Sequence, residues 1–183
     1  MVKVLLTSEA FIKDVTSISD NVAGKYLQSS IREAQDIGLK GILGSCLLRR
    51  LEELVRERQI DAQGYEQYKD LLDRCQYYLA YKSIVELIRK VSYKVTNFGL
   101  AKSSDENLQL ASFDEIVKQE YYYQSKADAM CYDIQGFLLD NRSAFPELGD
   151  CDCHRIKANL RSAASCGIFL GGARGKGRGG DCR

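Results

Sequence analysis

Apolar residues return every three or four positions along most of this chain, a period that helices bury on one face and strands cannot. Leu27, Ile31, Ala34 and Ile37 form a first stripe that Asp20 or Asn21 can cap and that stops near Gly38. After a turn at "LKGILG", Ser45 can cap a second helix, in which Leu47, Leu48, Leu51, Leu54 and Val55 repeat at amphipathic spacing. Residues 61–64 punctuate the chain, and Tyr68, Leu71, Leu72, Cys75 and Leu79 make a third stripe. The apolar phase changes at about Gln76 and continues through Ala80, Ile84, Leu87, Ile88 and Val91, which predicts a bend or break there and a fourth helix ending near residue 91. Ser112 and Glu115 match the S-x-x-E capping box, where side chain and backbone satisfy each other's free amides. They open a long helix with Ile116, Tyr123, Ala127, Met130, Ile134 and Phe137 on one face, closed by Asn141 and then Phe145-Pro146.

One stretch breaks the pattern. In "KVSYKVTNFGLAKSSDENLQLASFDEI", residues 90–116, Val91, Tyr93 and Val95 alternate with polar neighbours, and Asn97, Gly99 and Ser103-Ser104-Asp105 supply turn chemistry. A polar connection of about twenty residues is too long for a compact bundle and points to a use outside it. The expected fold is therefore all-α: a bundle of four to five helices over residues 1–147 with a β-hairpin inserted at 92–111. Residues 148–183 follow as an extended Gly/Arg-rich arm, because "GGARGKGRGG" cannot pack a core.

Composition narrows the class. The 183 residues are 45% hydrophobic and 28% charged, enough for an ordinary core. No apolar run approaches the roughly 18 residues of a membrane span, and "MVKVLLTSEAF" is too short, and too acidic afterwards, for a signal peptide. A soluble, unexported protein without membrane partners is expected. Residues 151–183 carry seven Lys/Arg against Asp152 and Asp181, a charge of +5, whereas the other 150 residues hold 19 basic against 23 acidic side chains, a charge of −4. Cys46, Cys75 and Cys131 fall within helical stripes and read as reduced thiols acting as small hydrophobes.

Little in this chain points to catalysis. The sole histidine, His154, lies in the polar tail, where a nucleophile–base pair has no rigid support. Cys151, Cys153, His154 and Cys166 could be read as zinc ligands, but the C-x-C start and the wide later spacings match no common zinc site. No phosphate-binding glycine pattern occurs in a strand–helix context. No catalytic residue, cofactor or metal is expected. Binding surfaces are more plausible. Tyr77-Tyr78, Tyr81 and Tyr121-Tyr122-Tyr123 fit either core packing or an oligomer interface, and three consecutive tyrosines on a helix cannot all face one core. The basic tail reads as a solvated terminus, as a backbone-following nucleic-acid binder, or as an arm whose Ile168, Phe169 and Leu170 dock on a partner while Arg174, Lys176 and Arg178 pair with acids or DNA.

The ordered set "LLTSEAFIKDVTSISDNV", "AQDIGLKGILG", "YYLAYKSIVELI", "VSYKVTNFGL", "DIQGFLLDN" and "FPEL" resembles head–tail connector proteins (adaptor or head-completion proteins) of tailed bacteriophages, especially the ring proteins of crAss-like phages, over roughly residues 3–147. The resemblance implies a virion protein made in the host cytoplasm, a homo-oligomer whose usual ring is twelve-fold. It implies contact with the portal and the next tail or ring protein, and non-specific passage of DNA through the channel. It also implies that the hairpin, with Tyr93, Val95, Asn97, Phe98 and Leu100, meets a neighbour, the lumen or the next ring. A closed ring requires two different complementary faces on each protomer. The competing expectations are a helical nucleic-acid-binding protein that uses the basic tail and a small zinc-dependent regulator.

Overall fold

A computed structural model of the chain describes residues 4–18, 22–96, 99–102 and 112–150, with backbone alone at 92–96, 99–102 and 149–150. The architecture is a helical bundle. α1 (Glu9–Val15) starts at Ser8, whose side-chain oxygen accepts from the Phe11 N–H at 3.1 Å. α2 (Gly24–Glu33) runs through a π-helical stretch, Ala34–Leu39, into α3 (Lys40–Arg56). α4 (Glu66–Ser92) and α5 (Phe113–Asp140) are the longest helices, and a 3-10 turn at Arg142–Ala144 leads to the short α6 (Glu147–Asp150). The expected caps Asp20 and Asn21, residues 97–98 and 103–111 of the expected hairpin, and residues 151–183 of the expected arm lie outside the described residues.

The first stripe does not stop near Gly38. The backbone widens into π-type bonds, each spanning one extra residue, and the helix carries on. That extra residue rotates the stripe, so Ile37, expected on the buried face, is 76% exposed. The true kink is at Gly44, where φ is 78° and ψ is 167°. This conformation is essentially glycine's own, and the helix resumes at the following residue.

α4 is a single helix with no break at Gln76. The phase change there records a change of partner. Tyr68, Leu71, Leu72, Cys75 and Leu79 on its first half join a core with Leu43, Leu47, Leu51 and Leu54 of α3, Ile134 and Leu138 of α5, and Phe145 and Leu148 beyond. Ala80, Ile84 and Leu87 on its second half join a separate core with Ile12 of α1 and Leu27 and Ile31 of α2. The two apolar faces lie roughly 120° apart around the helix axis, at about 100° per residue. Burying each of these Leu and Ile side chains contributes about 1.5–3 kcal/mol, so a helix bent at Gln76 would forfeit one core or the other.

Two side-chain amides close the junction. Gln35 is fully buried; its Oε1 accepts from the Leu6 N–H at 3.0 Å, and its Nε2 donates to the Val4 carbonyl at 3.0 Å and to Glu52 at 2.7 Å. Gln76 Nε2 donates to the Leu6 carbonyl at 3.0 Å. The N-terminal segment is thus held much as a strand would be, by amides standing in for a neighbouring backbone. At the far end, Asn141 caps α5 through its side-chain N–H to the Phe137 carbonyl at 3.0 Å, and Tyr68 donates to Glu147 at 2.9 Å. Burial, then Glu147, pushes the Tyr68 phenol well above its ordinary range.

The capping box that opens α5 forms as expected, with the Ser112 N–H donating to Glu115 at 2.7 Å and the Glu115 N–H to Ser112 Oγ at 3.3 Å. Hydrogen bonds from the Ser112 backbone and then its hydroxyl hold the Glu115 carboxyl below its ordinary 4.5. A depressed carboxyl stabilises the fold above its unfolded pKa and loses that contribution as pH falls through its folded value. The melting-temperature gap between parent and Glu115→Gln should therefore be steady from pH 6 to 8 and close below about pH 4. A second prediction concerns Gly38, where an added Cβ would meet the Tyr78 hydroxyl at 2.5 Å. Gly38→Ala should destabilise by about 1–3 kcal/mol, and Tyr78→Phe in the same chain should recover part of that loss in denaturant titrations.

Candidate protein-docking surface

The buried side of α5 carries Ala127, Cys131, Ile134 and Leu138, and a polar seam ties the helix to α4. Along that seam Arg74 pairs with Asp133 and lies over the Phe137 ring, 4.7 Å from its centroid. Further on, Lys82 donates to Gln124 at 2.9 Å and Arg89 to Glu120 at 2.7 Å. These contacts fix the rotation of α5 and so decide which side chains are left outside.

What is left outside includes a set of large apolar side chains. Phe113, Val117, Tyr121, Tyr132 and Leu139 are all exposed, Tyr121 to 75% and Phe113 to 61%. Steps of four, four, eleven and seven residues keep all five on one side of a helix. The stripe runs from one end of α5 to the other, with Gln124 and Asp128 on the same side between Tyr121 and Tyr132, about a quarter of a turn from its buried face. Scattered single exposed apolar residues are normal, but large ones repeating along one side of a helix make a candidate contact surface. Gly136 borders the row. A Cβ there would meet nothing within 4 Å, so internal packing does not call for glycine, although glycine in a helix interior costs about 1 kcal/mol relative to alanine. Close approach by another molecule would account for it.

The tyrosine triplet divides as its geometry requires. Tyr121 points out, Tyr123 packs against the core of α1, α2 and α4, and Tyr122 stacks edge-on against Tyr123 with Lys126 4.4 Å from its ring. Tyr78 is buried and Tyr77 exposed, so the tyrosines serve both core and surface.

A second surface lies on α2 and the π-helical stretch. Lys25, Arg32, Glu33, Asp36 and Ile37 line a groove of about 660 Å³ there. Among the described residues no group of three or more His, Cys, Asp or Glu side chains is placed to hold a metal, and no helix is long and apolar enough to cross a membrane. Cys75 is a free buried thiol, its pKa pushed up by burial, and Cys131 is buried in the same core. Cys46, half-buried on α3, departs from the expected reduced state: it is disulfide-bonded.

Of the residues singled out from sequence, Ile168, Phe169, Leu170, Arg174, Lys176 and Arg178 of the arm, Asn97 and Phe98 of the hairpin, and Cys151, Cys153, His154 and Cys166 lie outside the described residues. Tyr93, Val95 and Leu100 are described by backbone only. The sequence signal for the α5 stripe is Phe113, Val117, Tyr121 and Tyr132 repeating beside the buried face.

The described residues form a helical bundle with an exposed apolar row on α5. The chain belongs to a family of unknown function (DUF6712), whose model matches residues 39–158, from the last residue of the π-helical stretch through α3, α4, α5 and α6 and beyond. No curated protein and no solved structure matches it. Substitution at Gly136 measures what glycine costs the helix. Gly136→Ala should raise the stability of the monomer by about 0.5–1 kcal/mol in denaturant titrations.

Proposed function

We propose that this protein is a non-enzymatic structural component of a phage virion, a connector that forms a ring at the portal vertex, joins the head to the tail and extends the DNA channel. The observation that carries this reading is the apolar row on α5, whose length suits a protein partner better than a small ligand. The sequence resemblance supplies the rest: the ring, its usual twelve-fold order, and the portal and next tail component as neighbours.

An inserted hairpin projecting from the bundle is part of the proposal. Support comes from backbone that leaves α4 at Ser92 and pairs antiparallel, Tyr93 opposite Lys102, Lys94 opposite Ala101, Val95 opposite Leu100 and Thr96 opposite Gly99. In a ring, such a projection reaches a neighbour, the lumen or the next ring.

Electron microscopy of the purified full chain, alone and mixed with portal-bearing capsids, tests the reading. Closed rings that decorate the portal vertex are the expected result. A monomer that binds DNA with steep salt dependence, and does not bind capsids, would instead favour the nucleic-acid-binding alternative. Replacing residues 93–111 by a short glycine-containing turn should leave the helical circular dichroism almost unchanged and abolish ring formation or stacking. Loss of helix on that deletion would place the segment in the core and remove its proposed role.

A further inference from the structure

We infer that the apolar row on α5 of one copy docks into the α2/π-helix groove of the next, which makes the protomer contact heterologous. The inference rests on the ring reading and specifies its interface. α2 and α5 each pack along α4 and have little contact with each other, so the outer surfaces of both are available at once. Their charges are complementary. Beside the α5 row stand Asp114 and Asp128 against Lys118, whereas the groove carries Lys25 and Arg32 against Asp36, its Glu33 being paired with Lys90 at 2.9 Å. Two α5 rows facing one another would bring acids against acids, and such like-charge contact across an interface is strongly disfavoured. Docked into the groove, the same acids meet Lys25 and Arg32. Ile37, 76% exposed at the groove, supplies an apolar contact for the row.

The dimensions suit an interface. α5 has 28 residues and is therefore about 42 Å long. A row of large side chains over that length can form the apolar centre of a contact burying about 800 Å² on each partner. Gly136, which nothing inside the protomer requires, lets the partner's backbone come close to the row.

The test uses two full-length variants, each blocked on one face: Val117→Glu with Tyr121→Glu on α5, and Lys25→Glu with Ile37→Glu on the groove. All four residues are exposed, and unchanged circular dichroism confirms that both variants are folded. In native mass spectrometry each variant alone should be monomeric, and an equimolar mixture should give a one-to-one dimer and nothing larger. A groove variant that assembles as the parent does would show α5 rows pairing with themselves and overturn the inference, as would a mixture that stays monomeric. Closed oligomers of the parent alongside a monomeric mixture would defeat this pairing and leave the ring reading standing. Open chains of the parent alongside the one-to-one dimer would support the pairing and defeat the ring. If a glutamate variant unfolds, charge reversal replaces it. Lys25→Glu with Arg32→Glu should weaken assembly about tenfold or more, and mixing with Asp114→Lys and Asp128→Lys should restore it; failure to restore it would overturn the inference.

Discussion

The structure depends on one helix serving two cores. α4 gives its first half to α3, α5 and the segment through α6, and its second half to α1 and α2. Because neither core closes without it, the helix must stay straight and continuous while its apolar face rotates along its length. Cutting a buried Leu or Ile on either half to alanine costs about 2–5 kcal/mol, which is a large part of the stability of a small domain. The two cores therefore behave as one folding unit coupled through α4.

The rotation leaves a junction where neither apolar face is complete, and the N-terminal segment crosses it. Gln76 holds the Leu6 carbonyl from α4, and Gln35 holds Leu6 and Val4 from the π-helical stretch. A buried amide with unsatisfied groups is costly, and Gln35 offsets that cost by using both ends of its amide. The π-helical stretch places Gln35 inward and Ile37 outward, so the local irregularity that fastens the N-terminal segment also creates the exposed contact at the groove.

Legibility in the sequence followed periodicity. The stripes at Leu47–Val55, Tyr68–Leu79 and Ala127–Phe137, the capping box at Ser112 and the stop at Asn141 could all be read because each is a local signal with one partner. The phase change in α4 was visible too, yet its meaning was not, because a broken helix and a helix that changes partner leave the same trace. The π-helical stretch gave no signal beyond a glycine that also suits a helix stop. α1 carries an ordinary cap at Ser8 but no stripe, because Ile12 is its one buried residue.

The outer face of α5 joins the fold to the proposed role. Its apolar row stays exposed because the seam with α4 and the buried Ala127–Leu138 face turn other sides of the helix inward, and the proposed assembly would cover it. Hydroxyl-radical footprinting across a concentration series tests this most directly. Phe113, Tyr121, Tyr132 and Leu139 should lose reactivity together as the protein associates, while Tyr122 on another side of the same helix should keep its own. Undiminished reactivity of the row in the associated protein would contradict the account.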